Sequence, residues 1–237
     1  MTLREATEGF VRSFCRIKSR TYPYKPTLTQ GLWVLRDDPP RNKERKIEVV
    51  SHNLGPAETV ATIRQLSLPW HFVVAIHERE DAFDGIREAY KALGYRPLAT
   101  EWMFVHEHDH LHDFDCEPPV REVDSPALLA TIPQIAQQPR KLLPETRLYG
   151  IWDEQRDYGW VRSVPECKTG WASELFVYSE FRGRGYGRAL MSRLLRGDRS
   201  AGLENSALIA SAAGARLYPH LGYRRIAVLQ IFCPLER

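Results

Sequence analysis

The residues best suited to chemistry lie between Leu175 and Leu190, which read LFVYSEFRGRGYGRAL. A β-branched and aromatic run passes into Arg182-Gly183-Arg184-Gly185-Tyr186-Gly187, and strong helix formers follow at once. Such a strand–loop–helix junction gathers main-chain N–H groups at a helix N-terminus and points them at one place. Glycines there let a ligand approach the backbone closely, and the helix dipole adds positive potential. Arg182, Arg184 and Arg188 deepen that potential, so a pyrophosphate is the natural occupant. The same letters also suit a tight turn that holds no ligand. Two other phosphate-binding loops do not fit. A P-loop ends in Gly-Lys-Ser/Thr, which is absent here, and the dinucleotide fingerprint needs its third glycine one residue later than Gly187.

The pattern of Arg182, Gly185 and Gly187, five residues beyond a strand ending near Val177, resembles the acetyl-CoA signature of the GNAT (GCN5-related N-acetyltransferase) superfamily. That family's second signature is a strand, then Asn or Ser, then Leu-Tyr on a helix, then Gly-Phe or Gly-Tyr. Ser211, Leu217-Tyr218 and Gly222-Tyr223 match it in order. The resemblance covers roughly residues 120–237. It departs at Gly214, where the family often has Ala.

The resemblance implies acetyl-CoA as cosubstrate and an amine as acceptor. It implies that the loop, through Arg182, Arg184, Gly185, Gly187 and Arg188, holds the pyrophosphate, and that main-chain groups of Phe176 and Val177 hold pantetheine, with Ser211 contributing. It assigns Tyr218 to protonation of the departing thiolate. Phenols titrate near ~10 and thiols near ~8.5, so the donation is feasible in a dry site. Packing against the helix end is the structural alternative for Tyr218. An amine titrates near ~10.4 and must lose a proton before it attacks. Glu174 shares a strand face with Phe176 and Tyr178 by the period of two, and is either a base for that proton or a partly exposed strand residue. The transfer expected is direct attack on the thioester. Cys167 has no paired His in any readable motif.

The elements needed to hold this loop can be read on both sides of it. A helix is expected from Ser125-Pro126 to about Gln137. Leu148–Trp152 and Tyr158–Ser163 read as a hairpin around Asp153–Asp157, Trp171–Tyr178 as a strand and Gly187–Leu195 as a helix. A strand near Ala207–Ala210, a helix over Gly214–Leu221 and a strand over Ile226–Phe232 complete the set. The phrase YKALGYR at Tyr90–Arg96 recurs as YPHLGYR at Tyr218–Arg224, each preceded by an apolar strand (Phe72–Ile76 and Ala207–Ala210) and followed by another (Glu101–His106 and Ile226–Phe232). The chain is therefore expected to be α/β, with two tandem GNAT-like domains. Each would be a mixed, mostly antiparallel sheet flanked by helices.

The acidic, histidine-rich stretch HDHLHDFDCEPP, His108–Pro119, has linker composition. It sets the expected domains at 1–117 and 118–237. The first lacks the loop: after the strand Ile47–Val50 there is a single Gly55, and Pro56 removes an N–H that a phosphate would want. This half is read as a degenerate copy without CoA that shapes or covers the substrate cleft.

Formal charge is +3, from 33 Lys+Arg against 30 Asp+Glu, too little to imply nucleic acid by itself. The Arg182–Arg199 cluster keeps a weak nucleic-acid reading open. No aromatic-plus-basic RNA motif accompanies it, Trp33, Trp70 and Trp102 being expected in the core. Cys15, Cys116, Cys167 and Cys233 are widely spaced and suit free thiols in a reducing compartment. With no signal-peptide pattern or membrane-length apolar run, a cytoplasmic protein without membrane partners is expected. His106, His108, His110 and His112 would face one way if extended and could take a metal. The spacing is no known ligand signature, and a solvated linker or edge strand, with no metal, is the reading adopted. Arg36–Arg45, RDDPPRNKER, reads as a solvated loop. The leading function is an acetyl-CoA-dependent N-acetyltransferase acting on a small amine. The alternative is a non-catalytic acyl-CoA-binding regulatory module. Sequence leaves the acceptor and the oligomeric state open.

Overall fold

The computed structural model describes residues 1–41, 44–52, 54–78, 83–133 and 142–235. In chain order the elements are α1 (Leu3–Lys18), β1 (Tyr24–Thr29), β2 (Leu32–Asp37), β3 (Ile47–Ser51), α2 (Pro56–Gln65), β4 (His71–His77), α3 (Phe83–Ala92) and β5 (Tyr95–Glu107). They continue as β6 (Arg121–Glu122), α4 (Pro126–Thr131), β7 (Arg147–Trp152), β8 (Asp157–Glu166), β9 (Thr169–Val177), α5 (Tyr186–Ser200), β10 (Asn205–Ser211) and β11 (Arg224–Pro234). This is an α/β fold with a mixed sheet and flanking helices. None of the described helices is long and apolar enough to cross a membrane.

The chain divides into two compact units. One comprises residues 2–103, 209–213 and 225–237; the other comprises residue 1, 104–208 and 214–224. The units thus do not follow the 117/118 division of the sequence. Residues 104–117 go with the loop, and most of β11 goes with the N-terminal strands, because β11 pairs antiparallel with β4 from Val228↔His77 to Phe232↔Val73.

In the N-terminal unit, β1, β2 and β3 run antiparallel to one another, and β3 runs parallel to β4. β3 and β4 read IEVVS and HFVVAIH, the near-continuous apolar runs of strands covered on both faces. Helix α1 opens on a capping box in which Thr2 and Glu5 each serve the other's backbone, and it buries Ala6, Phe10, Val11 and Cys15. Gly55-Pro56 starts α2, with the proline at the first helical position where its missing N–H costs nothing. Val60 and Ile63 of α2 join Tyr90 of α3, Tyr95 and Phe232 in one core. Tyr90 lies stacked on Phe232 at 4.3 Å between ring centroids.

In the loop-bearing unit, β6 to β9 form an antiparallel run, and β10 joins β9 in parallel. The β7–β8 turn is set by Asp153, whose Oδ1 accepts from the amides of Gln155 and Arg156. Helix α5 packs on these strands through the buried Ala189, Leu190, Met191, Leu194 and Leu195.

Several sequence expectations are corrected. Helix α4 stops at Thr131, because Ile132 precedes Pro133 and takes an extended conformation (φ −79°, ψ 119°). Residues 134–137 of the expected helix lie outside the described residues. In place of a helix over Gly214–Leu221, turns lead to a 3₁₀ helix at Tyr218–Leu221. Pro219 has no N–H for an i−4 carbonyl and is accommodated in the first turn of that short helix. Asp37 is buried, with both oxygens held by Arg41 and Arg45 at 2.6 Å, so the described part of Arg36–Arg45 is a folded, ion-paired segment. The supposed linker is docked along α5: Ser192 donates to the His112 carbonyl and receives the Phe114 amide, and the Tyr186 hydroxyl donates to the Glu117 carbonyl. Trp33 is buried, whereas Trp70 and Trp102 are half-buried. All four cysteines carry free thiols.

Candidate active site

After β9 the chain makes a single 3₁₀ turn, Ser179–Phe181, returns to extended backbone at Arg182, and passes through left-handed conformations at Gly183 (φ 78°) and Gly185 (φ 88°). A Cβ at either glycine would meet nothing within 4 Å, so they are there for the backbone rather than for packing. Gly185 is the N-cap of α5 and offers no side-chain cap. The first helical hydrogen bond is Ala189 N–H to the Gly185 carbonyl at 3.0 Å. Among the described residues, no amide from Gly183 to Arg188 donates to a protein acceptor. A 15-residue helix therefore presents its N-terminal amides without partners, the arrangement that favours an anion.

The arginines nearby separate into three groups. Arg193 and Arg196 pair with Glu122 (3.7 Å) and Asp113 (2.7 Å). Arg184 and Arg188 lie over the rings of Phe181 and Phe114, at 5.5 and 5.1 Å, and keep their charge at the loop. Arg182 turns back, its Nε donating to the Val177 carbonyl at 3.0 Å. That carbonyl therefore already has a partner, unlike the open main-chain group expected there.

Strand β9 is irregular where the site needs it to be. Its register with β8 steps from Trp160↔Phe176 to Arg162↔Ser173, so Glu174 and Leu175 oppose the single residue Val161. This is a β-bulge, and Glu174 sits in it at φ 57°. Pairing of β9 with β10 goes no further than Ala207↔Trp171. Beyond Trp171 the β10-side edge of β9 leaves that ladder. Phe176 and Val177 remain paired to β8 through Trp160 and Gly159. At Gly159 a Cβ would lie 2.4 Å from the Phe176 carbonyl oxygen, so only glycine allows β8 to come this close.

The Glu174 carboxylate meets Arg162 Nε at 2.9 Å, and Arg162 is fully buried. Trp160, two residues before Arg162 on β8, stacks on Phe176 at 4.3 Å and meets Tyr178 edge-on at 5.8 Å. Glu174, Phe176 and Tyr178 are thus gathered by two residues of one β8 face, although the bulge breaks the strand period.

Tyr218 is buried against Phe104 (5.4 Å) and Tyr223 (5.6 Å). Burial pushes its phenol up to about 12, so it stays protonated at neutral pH. No protein partner of its hydroxyl is found among the described residues. The neighbouring Leu217 lies 3.5 Å from where a Cβ of Gly187 would stand, which brings this segment against the start of α5. Tyr90, its counterpart in the repeated phrase, is 1% exposed and hydrogen-bonds Thr59. Ser211 ends β10 and is exposed.

The histidine run does not present one face. His106, next to last in β5, is buried with His108, their rings 5.7 Å apart, while the chain turns at His108–Asp109 and exposes His110 and His112. His108 Nδ1 bonds the Leu203 carbonyl at 2.9 Å, a helix-end contact rather than a ligand geometry.

A protein-family model for the acetyltransferase (GNAT) domain matches residues 144–225. Residues 144–225 are a GNAT acetyltransferase domain. Solved structures agree at the level of fold. A GCN5-related N-acetyltransferase from Kribbella flavida has a TM-score of 0.65 at 13% identity, covering 97% of this chain and 95% of that one. One from Sphaerobacter thermophilus has a TM-score of 0.56 at 17% identity, covering 86% and 76%. A GCN5-related N-acetyltransferase-like protein from Streptococcus suis has 0.52 at 13%, covering 98% and 100%. No curated protein matches the sequence. Within the GNAT domain fall the loop, the bulged strand and Tyr218. Reading the sequence missed three residues that shape it: Arg162, Gly159 and Phe114. A glycine and an arginine inside an otherwise apolar strand were the available signals.

Proposed function

We propose that the GNAT domain binds acetyl-CoA and transfers its acetyl group to an amine of a small molecule. The observation that carries this reading is the row of amides from Gly183 to Arg188, offered at a helix N-terminus and engaged by no protein acceptor among the described residues. The CoA diphosphate has the charge and span to take them. Arg184 and Arg188 flank it, Gly185 and Gly187 leave it room, and Arg182 ties the loop to the end of β9. The pantetheine arm follows β9 beside Phe176 and Val177 where pairing with β10 has lapsed.

In this mechanism the amine attacks as its free base. The C–N bond forms at the thioester carbonyl, the C–S bond breaks, the electron pair leaves on sulfur, and the amine proton passes to water. A β9 amide steadies the developing oxyanion. Tyr218, kept neutral by burial, donates to the thiolate. Because its phenol is pushed up to about 12, above the ordinary thiol range, Tyr218 donates a hydrogen bond and keeps its proton, and the thiolate takes the proton that completes the thiol from water as CoA leaves. No cysteine nucleophile enters. Residues 1–117 are, in this reading, a related copy that has lost CoA binding, and 118–237 the copy that kept it.

Calorimetric titration with CoA tests the reading first, with one site per chain expected. An amine panel with acetyl-CoA, followed by thiol release, then identifies turnover. CoA binding with no thiol release from any amine would assign a non-catalytic acyl-CoA-binding module. Absence of CoA binding would remove both readings.

A further inference from the structure

We propose that Arg162 and Glu174 form a positioning pair that fixes the bulge of β9, and that Glu174 is not the base for the acceptor amine. The proposal rests on the acyltransferase reading above. Arg162 is the largest fully buried side chain among the described residues. Its Nε donates to Glu174 at 2.9 Å and its Nη1 donates to Thr146 Oγ1 at 3.0 Å. A guanidinium with no exposure, bonded to the Glu174 carboxylate, favours the ionised form of that carboxylate over the protonated one. A general base has to accept that proton, and the pair opposes it.

The pair also accounts for the backbone. Glu174 holds φ 57°, a region that disfavours residues with a Cβ. Its carboxylate is anchored to a residue of the opposing strand at the point where two residues of β9 face one of β8. The anchored conformation decides which way the main chain of Glu174 and Leu175 faces. It lies past the end of β9–β10 pairing, where an oxyanion donor would be used. Gly159 completes the device by letting β8 close on Phe176 and Val177.

Four variants separate the two roles: Arg162→Met, Arg162→Lys, Glu174→Gln and the double variant Arg162→Met/Glu174→Gly. Glycine tolerates the left-handed backbone, so the double variant removes both charges and keeps the bulge accessible. Positioning predicts that Arg162→Met lowers kcat on the order of 10- to 100-fold while CoA affinity holds. It predicts a smaller loss in Arg162→Lys, recovery to within about tenfold in the double variant, and an acid limb of the pH–rate profile unchanged throughout. Amide hydrogen exchange over residues 173–177 should quicken in Arg162→Met and slow again in the double variant, a readout independent of turnover. Loss of the acid limb in Glu174→Gln, with full activity in Arg162→Met, would make Glu174 the base and overturn the proposal. So would exchange at 173–177 indifferent to Arg162. A wild-type protein that binds CoA yet acetylates no amine would sink the catalytic reading, and the exchange result would still decide whether the pair holds the bulge.

Discussion

In the proposed transfer, the role of Tyr218 depends on one hydroxyl at the edge of an aromatic cluster. Phe104 and Tyr223 fix the ring, and burial keeps the phenol neutral up to about 12. Replacing it with Phe preserves the packing and removes the donor. We expect kcat to fall on the order of 10- to 100-fold with CoA affinity within about threefold, measured by thiol release and calorimetry. The sign of the pH effect follows from the same burial. The wild-type rate should rise with pH as the acceptor amine deprotonates and should show no loss from Tyr218 ionisation until near 12. A descending limb near the ordinary phenol value, absent in Tyr218→Phe, would show that the hydroxyl is solvated during turnover. Gly185 makes a second residue-scale test. At φ 88° an alanine strains the backbone that aims the amides, although open space surrounds it. Gly185→Ala should weaken CoA binding about tenfold or more with little change in melting temperature.

Elements differ in how much of themselves they disclose in sequence. The loop–helix junction was legible because left-handed backbone calls for glycine and Gly183 and Gly185 answer it. The hairpin before it was legible because Asp153 signals its turn. The bulge was not, since its left-handed residue is Glu174, held there by a partner twelve residues away in sequence. The segment after β10 carried a helix-like pattern, and Pro219 overrode it. The attachment of β11 to β4 was invisible because pairing between residues some 150 apart leaves no local trace. Among the residues that shape the candidate site, those named by backbone demand could be read, and those named by cross-strand contact could not. Gly159 belongs to the second kind and yields a prediction for its strand. An alanine there would drive Cβ into the Phe176 carbonyl and against the Val177 Cα, backbone atoms that cannot turn aside. Gly159→Ala should destabilise by about 1–3 kcal/mol in denaturant titration and raise KM for acetyl-CoA more than Gly170→Ala does. A Cβ at Gly170 would also run into a buried group, the Asp198 carboxylate, but Gly170 belongs to the still-paired part of β9.

Over the whole molecule, the buried phenols set an alkaline limit. Burial is the leading cause of the upward shift at Tyr24, Tyr90, Tyr149, Tyr218 and Tyr223, with Tyr90, Tyr149 and Tyr218 pushed up to about 12. A phenol is neutral while protonated, so below its unfolded value of 10.0 neither state has ionised and nothing is lost. Above that value the unfolded chain gives up protons that the folded chain retains, and stability falls as pH rises. Each such group removes up to about 1.4 kcal/mol per pH unit until its folded value is reached. Three such groups together remove up to about 8 kcal/mol by pH 12, a large share of the roughly 5–15 kcal/mol of a typical domain, so unfolding is expected to accompany phenol ionisation over this range. Circular dichroism and phenolate absorbance should therefore change together in a steep transition. Tyr149 offers the check, since its hydroxyl is buried without a hydrogen-bond partner. Tyr149→Phe removes both the orphaned hydroxyl and one titrating group, and should shift the alkaline midpoint upward without loss of stability at neutral pH. Phenolate absorbance that rises gradually near the ordinary value, with circular dichroism intact, would mean that solvent reaches these rings in the folded chain.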